Sequence, residues 1–188
     1  MSDSETREDD TEGDIVEALA AGDYRGVIDR CARVHGATVG RLCMAFVGSQ
    51  AEAQELAQET FVAALKSIRS FRSEGSLRGF LFAIARRLCA RHVETCARRE
   101  RRLRLVHDTE VNTGDDAFET LAKRQRAEAA RAALQQLRPS ERDAVVLRFQ
   151  GDLSFREVAE ACGIDEPTAR KRVNRAIARL RTTIGNAP

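Results

Sequence analysis

Residues 152–176, DLSFREVAEACGIDEPTARKRVNRA, decide how the C-terminal part of the chain folds. Gly163 separates two segments with helical periodicity, and its permissive backbone can end one helix and turn the chain. Asp165 is placed to cap the second helix, and Pro167 then stands in the first turn, where a missing N–H costs little. The pattern predicts a helix-turn-helix, a motif whose second helix enters the major groove of DNA.

The second helix of this motif has two distinct faces. Ala169, Val173 and Ala176 recur at helical spacing and predict a buried stripe. Arginine and lysine neutralise phosphates, and the planar arginine fork also matches the edge of guanine. The predicted DNA-reading face consists of Thr168, Arg170, Lys171, Arg172, Asn174 and Arg175.

The composition favours an all-α protein. The chain has 188 residues, enough for one domain or two small ones, and its 43% hydrophobic content supports packed cores. Aromatic residues make up only 5% and there are three prolines, which argues against a β-sandwich or barrel. The formal net charge is +2, but lysine occurs only at Lys66, Lys123 and Lys171, so arginine carries nearly all the positive charge.

The N-terminus and the cysteines indicate an intracellular protein. Residues 1–14 are acidic, which predicts a disordered tail and excludes a signal peptide. We find no apolar run long enough to span a membrane, so we expect a cytoplasmic protein. Five cysteines in such a chain predict thiols and no disulfide framework. No nucleophile–base pair or phosphate-binding glycine loop is evident, so we expect neither an enzyme nor a cofactor.

Two small helical domains joined by a flexible linker follow from the remaining periodicity. Predicted helices span residues 15–21, 27–46, 51–71 and 77–102, and we assign residues 15–104 to the first domain. The third helix should bury Leu56, Phe61 and Leu65. Residues 105–116 are rich in turn-forming and acidic residues and predict the linker.

The second domain is assigned to residues 117–188. It should begin with a helix over residues 117–137. The next helix should be capped by Ser140, with Asp143 three residues later, and should bury Phe149. The helix-turn-helix follows.

The fourth predicted helix carries an unusual density of positive charge. Its basic residues are Arg78, Arg86, Arg87, Arg91, Arg98, Arg99, Arg101, Arg102 and Arg104. Like charges at this density oppose folding unless an anionic surface lies alongside. Nucleic acid is the natural candidate.

Four segments resemble, in order, the bacterial sigma factors of RNA polymerase. Residues 50–61, QAEAQELAQETF, resemble the helix that grips the core polymerase, and residues 75–88, GSLRGFLFAIARRL, resemble the promoter-melting helix. Residues 134–149 and 175–181 resemble the start and the closing helix of the C-terminal domain. The order, spacing and brevity are similar to those of the extracytoplasmic-function (group IV) sigma factors, which keep only regions two and four.

This resemblance implies roles for individual residues. Core-polymerase docking falls on Glu52, Glu55, Leu56, Gln58, Glu59 and Phe61. Capture of the melted minus ten element falls on Arg72, Ser73, Glu74, Arg78, Phe80, Arg86, Arg87 and Arg91. The helix-turn-helix face given above would read the minus thirty-five element. The implied partners are core RNA polymerase, promoter DNA and an anti-sigma factor. Lys171 stands where the family commonly has serine, which predicts an atypical promoter sequence.

Three other hypotheses remain open at this stage. The chain could be an autonomous helix-turn-helix regulator, or an adaptor held by protein contacts alone. It could also sense metal or redox state, because Cys89, His92 and Cys96 share one helix face and Cys31 and His35 share another. Against the last hypothesis, cysteines are commonly buried as small hydrophobic residues.

Overall fold

The computed structural model describes residues 12–71, 76–104 and 121–185. Regular structure within these ranges is helical throughout, which confirms the all-α prediction. The helices are α1 (Glu12–Ala20), α2 (Tyr24–Val47), α3 (Gln50–Ser67) with a 3-10 turn (Ile68–Ser70), α4 (Leu77–Arg104), α5 (Leu121–Gln135), α6 (Pro139–Phe149), α7 (Phe155–Cys162) and α8 (Glu166–Gly185). In the part of the chain that is described, none of the helices is both long and apolar enough to cross a membrane.

Several sequence predictions fall on segments outside the described residues. These are the tail over residues 1–11, the loop residues Arg72, Ser73 and Glu74, and the linker over residues 105–116. Helix α1 begins at Glu12, so residues 12–14, predicted as part of the tail, are helical.

The predicted cap of α6 is wrong. The helix begins at Pro139, one residue before Ser140, and the preceding Arg138 makes no side-chain capping bond. Proline suits this first position because its φ is already helical and it has no N–H to satisfy. Asp143 takes no part in a cap. Its carboxylate instead accepts a hydrogen bond from Arg86 of α4.

Helices α1–α4 form an N-terminal group around the long helix α2. Val27, Val39 and Leu42 of α2 are fully buried, and α3 and α4 both pack against this helix. A β-extended Ser49 starts α3 by accepting a bond from the backbone N–H of Glu52. Acidic residues near that end suit the helix dipole.

The predicted helix-turn-helix is present as α7 and α8. Ser154 and Glu157 form a reciprocal capping box at the start of α7. Gly163 ends α7 in the left-handed region at φ 65°. Asp165 accepts a 2.6 Å bond from the backbone N–H of Thr168, and so caps α8 as predicted. The local signals in this stretch all agree with the structure.

The N-terminal group and the C-terminal group (α5–α8) share one continuous apolar core. Helix α4 packs against α7, and α2 approaches α6, where the Arg142 guanidinium lies 5.9 Å from the centre of the Phe46 ring. Phe82 of α4 is fully buried and meets the edge of the His35 ring on α2. A Cβ at Gly151 would stand only 3.2 Å from the Phe82 ring, which shows how closely the α6–α7 turn approaches α4.

Two apolar residues predicted to be buried are exposed. Leu65 of α3 is 41% exposed and Phe149 at the end of α6 is 60% exposed. Both lie on helices whose apolar stripe is wider than the surface that covers it. Leu56 and Leu147 of the same two helices are buried as core residues.

Truncation of one leucine in the core and of one at the surface should lower the free energy of unfolding by different amounts. Leu147→Ala removes a fully buried side chain and should lower the free energy of unfolding by about 2–5 kcal/mol, because a cavity remains. Leu65→Ala makes the same chemical change at the surface and should cost about 0.5 kcal/mol or less. Urea denaturation followed by circular dichroism measures both. Equal losses would contradict the assignment of Leu147 to the shared core.

Candidate nucleic-acid interface

The buried stripe of α8 determines which side chains reach the solvent. Ala169, Val173 and Ala176 are buried as predicted, and they fix the rotation of the helix on α6 and α7. The residues of the predicted DNA-reading face lie on the outer side of the helix. Arg170, Lys171, Asn174 and Arg175 are exposed, and Thr168 and Arg172 are half-buried. The helix therefore presents a basic outer face.

Arg170 is oriented by its neighbours. Its Nη2 donates to Glu166 over 2.7 Å, and its guanidinium lies 4.3 Å from the centre of the Phe155 ring on α7. Such stacking orients the planar donor group and reduces the rotamer freedom lost on binding.

At the start of the same helix, hydrogen bonds from Thr168 lower the pKa of Asp165, so the capping carboxylate stays ionised.

Two arginines of α4 face the C-terminal group. Arg78 donates through Nη2 to the carbonyl oxygens of Gly151 and Asp152, each at 3.0 Å. Arg86 donates through Nη1 to the Asp143 carboxylate at 2.9 Å and through Nε to the Ala161 carbonyl at 3.2 Å. These donors are engaged by protein oxygens in this arrangement.

The start of α4 is held by acidic residues of α7. The backbone N–H of Ser76 donates to Glu160 at 3.2 Å, and its hydroxyl lies 3.2 Å from Oε1 of Glu157. Burial opposes ionisation of Glu157, but hydrogen bonds from Ser154 and Ser76 and the charge of Arg78 lower its pKa overall. A Cβ at Gly79 would stand 3.1 Å from a Glu160 carboxylate oxygen, closer than most real Cβ contacts.

The other predicted minus ten residues of α4 lie away from this contact. Phe80 is half-buried against Phe71, with ring centres 5.3 Å apart. Arg87 and Arg91 are exposed on the outer side of the helix. The predicted set is thus divided between an exposed part and a part engaged with the C-terminal group.

The predicted docking helix α3 presents a mixed acidic and apolar surface. Glu55, Gln58 and Glu59 are exposed, Glu52 and Phe61 are half-buried, and Leu56 lies in the core. Val62 is 52% exposed and, with the exposed Leu65, extends the same surface toward the end of the helix. Sequence reasoning missed this apolar end, although the spacing of residues 55, 58, 62 and 65 is helical. Leu56, predicted as part of the docking set, is buried beneath this surface.

The predicted metal and redox candidates separate into different environments. Cys89 is fully buried; its hydrogen bond to Cys43 and then its burial raise its pKa far above the usual range. Cys89 is therefore a thiol of the core, out of reach of solvent, and Cys31 and His35 are buried in α2. Only His92 and Cys96 of the predicted candidates come together with a third ligand type, the carboxylate of Glu52, in a metal-compatible group among the residues described.

An apolar groove opens on the C-terminal group. It has a volume of about 520 Å³ and lies between α5, α6 and α8, lined among others by Leu134, Phe149 and Ile177. The exposed ring of Phe149 therefore belongs to a concave apolar surface, a feature typical of protein interaction sites.

Comparison with known proteins identifies the family of the chain. Family models of Sigma-70 region 2 and of Sigma-70, region 4 match residues 32–100 and 127–180. The chain is 32% identical over 140 residues to the ECF RNA polymerase sigma factor EcfG of Rhodopseudomonas palustris (strain TIE-1), covering 71% of each chain.

Solved structures share the fold. CnrH in complex with the cytosolic domain of CnrY has a TM-score of 0.67 at 21% identity, covering 93% of this chain and 99% of that chain. The sigma factor RpoE from Bartonella quintana, in complex with the anti-sigma factor NepR, has a TM-score of 0.59 at 22% identity, covering 80% and 91%.

Reversal of one charge should open the contact between the two groups of helices. Asp143→Arg replaces the carboxylate that Arg86 contacts at 2.9 Å with a like charge, which repels it. We expect a larger radius of gyration by small-angle X-ray scattering, with helix content unchanged. Asp29→Arg, at an exposed position of α2, is the matched control and should leave the scattering curve as it is. Identical dimensions for Asp143→Arg and the unaltered chain would contradict a contact that depends on this pair.

Proposed function

The chain belongs to the extracytoplasmic-function sigma factors of RNA polymerase, which direct the polymerase to promoters, and we propose how its surfaces divide that task. Region four, residues 117–188, grips the upstream duplex. Region two, residues 15–104, docks on the polymerase and takes up the melted strand. Residues 105–116 link them, and the acidic residues 1–11 precede α1.

Helix α8 reads the minus thirty-five element in the major groove. Its exposed basic face supports this role, because the opposite side is sealed in the core and the helix can enter DNA in one rotation only. Arg170, stacked on Phe155, is presented with its donors already oriented. Lys171 adds a positive charge beside it and contributes to an atypical sequence preference.

Helix α4 and the loop before it take up the minus ten element. Arg87 and Arg91 provide the first electrostatic contacts, since they are exposed when Arg78 and Arg86 are not. Phe80 serves as an aromatic wedge or stacking surface for an unpaired base. Arg72, Ser73 and Glu74 complete the pocket for a flipped base.

Promoter opening requires the two groups of helices to separate. Carbonyl and carboxylate oxygens accept hydrogen bonds from Nη2 of Arg78 and from Nη1 and Nε of Arg86. Phosphate oxygens can replace them with similar geometry, because arginine binds both kinds of acceptor in a planar fork. The contacts described here therefore represent a closed, inactive arrangement.

The exposed surface of α3 docks on the core polymerase. Its acidic and amide groups at Glu55, Gln58 and Glu59 suit a basic partner, with Glu52 and Phe61 at the margin and Leu56 as internal support. Val62 and Leu65 add apolar area that would be buried on docking. This surface favours a polymerase subunit over an autonomous helix-turn-helix regulator, which needs no such helix.

A protein inhibitor would also bind the chain. An anti-sigma factor could occupy the apolar groove beside Phe149, where an apolar side chain of a partner would be removed from water. In this scheme the chain acts without catalytic activity or cofactor of its own, in the cytoplasm with the polymerase.

The combination of a basic reader helix with an acidic and apolar docking helix is the observation that carries this proposal. Run-off transcription with core polymerase on a pool of genomic promoters tests it. We expect specific transcripts that depend on the chain, and weaker promoter binding at higher salt. A chain that binds duplex DNA but neither binds core nor starts transcripts would be a regulator of another kind.

Loss of a reader charge should affect only upstream recognition. Lys171→Ala should weaken binding of the holoenzyme to its promoter by roughly fivefold or more, because a bidentate or phosphate contact is lost. Lys66→Ala removes an exposed lysine from region two and is the control. Electrophoretic mobility shift with the promoter from the run-off experiment measures both. Equal effects of the two variants would contradict the assignment of α8 as the reader.

Loss of two acidic residues from α3 should have the opposite pattern. Glu55→Ala with Glu59→Ala should weaken binding to core polymerase by roughly tenfold, because the charge complementarity of the docking surface is lost. Glu17→Ala with Glu128→Ala removes two exposed acids elsewhere and serves as the control. Fluorescence anisotropy with labelled chain and core enzyme gives the affinities. Unchanged affinity of the α3 variant would refute this docking surface.

A further inference from the structure

We propose that Glu52, His92 and Cys96 form a binding site for a transition-metal cation of the zinc class between α3 and α4. His92 and Cys96 stand one turn apart on α4, and Glu52 lies in the first turn of α3, which packs against α4. The site belongs to a different surface from the apolar groove and from the contact between α4 and α7.

Two of the three donor-atom separations match those between the ligands of a tetrahedral ion. Nε2 of His92 lies 3.2 Å from Oε1 of Glu52 and 3.5 Å from Sγ of Cys96, and all three donor atoms lie within 4.8 Å of one another. Zinc bonds of about 2.0 Å to nitrogen or oxygen and about 2.3 Å to sulfur, at the tetrahedral angle, separate ligand atoms by about 3.3 Å and about 3.5 Å. The two separations at His92 therefore suit a tetrahedral ion. The Glu52 oxygen and the Cys96 sulfur lie no more than 4.8 Å apart, so rotation of these two side chains would complete the coordination.

Hydrogen bonds among these three side chains satisfy their polar atoms less well than a bound cation would. Nε2 carries at most one proton, so a neutral His92 can donate to Glu52 or to Cys96 but not to both along one N–H direction. A cation can instead accept electron pairs from all three atoms at once. Thiolate and imidazole ligands select zinc and related transition metals over magnesium and calcium, which prefer oxygen.

The position of the group leaves room for a fourth ligand. The side chains of His92 and Glu52 are 29% and 39% exposed, and Cys96 is half-buried. A water molecule can complete the coordination from the solvent side. The two anionic ligands, thiolate and carboxylate, balance the charge of a divalent ion.

Occupation of this site would affect polymerase docking, an inference that rests on the proposed function of α3. Glu52 stands at the margin of the docking surface and would be withdrawn into the coordination sphere. The metal would also tie the first turn of α3 to α4. We therefore assign the site an inhibitory role: the metal-bound chain binds core polymerase more weakly than the metal-free chain.

Titration of the metal-free, full-length chain with Co²⁺ tests the site itself. We expect one equivalent to bind, with a sulfur-to-cobalt charge-transfer band, and competition calorimetry with Zn²⁺ should give a Kd of about 1 µM or tighter. Cys96→Ser should abolish the band, and His92→Gln should weaken binding at least tenfold. Cys162→Ser is the matched control, because burial raises the pKa of that half-buried thiol in α7 and it should not contribute.

The site is refuted if no ion binds below about 100 µM, or if binding survives both Cys96→Ser and His92→Gln. In either case the group is a hydrogen-bonded cluster only. Circular dichroism of each variant establishes that the fold is kept.

Core-polymerase binding with and without Zn²⁺ then tests the inhibitory role. We expect saturating zinc to weaken binding of the unaltered chain several-fold and to leave the Cys96→Ser variant unaffected. Equal affinity of the unaltered chain with and without zinc overturns the inhibitory role. Failure of the metal-free chain to bind core polymerase at all contradicts instead the proposed function, and the cobalt titration still decides the metal site.

Discussion

Arg86 is held between two helices of region four, and the arrangement of the whole chain depends on that contact. Its guanidinium donates to the Asp143 carboxylate and to the Ala161 carbonyl, while Arg78 donates to the turn before α7. A helix with many arginines would be poorly stable alone, because like charges repel. Region four supplies oxygens to some of these arginines, and the apolar core then continues from one region into the other.

The same contact links stability to activity. The donors of Arg78 and Arg86 that bond protein oxygens are unavailable to phosphates in this arrangement, whereas the basic face of α8 stays exposed. Exchange of one set of oxygens for another changes few hydrogen bonds, and its balance depends on what else each region binds. A ligand shifts that balance only if it binds the open and the closed arrangement with different affinity.

Local sequence signals predicted the helix-turn-helix well because Gly163, Asp165 and the periodicity of α8 act within a few residues. They did not predict that the side of α4 that carries Phe82 would be buried. That side is covered partly by the α6–α7 turn, which lies about 70 residues later in the chain. A pattern of residues within α4 cannot predict contact with so distant a segment. For the same reason the helical spacing of His92 and Cys96 was visible, but Glu52 joins them only through the packing of α3 on α4. Exposure of Leu65 and Phe149 was likewise decided by what the fold leaves uncovered.

Gly79 influences how easily the two regions separate from the closed arrangement. The absence of a side chain there allows the start of α4 to approach Glu160, and one methyl group would already stand 3.1 Å from its carboxylate. A change of this size adds no charge and no hydrogen-bonding group between Arg78 and Phe80. It acts on the contact of α4 with α7, so exchange of one small residue at this position would alter how often the two regions part without adding a side chain that binds DNA or polymerase.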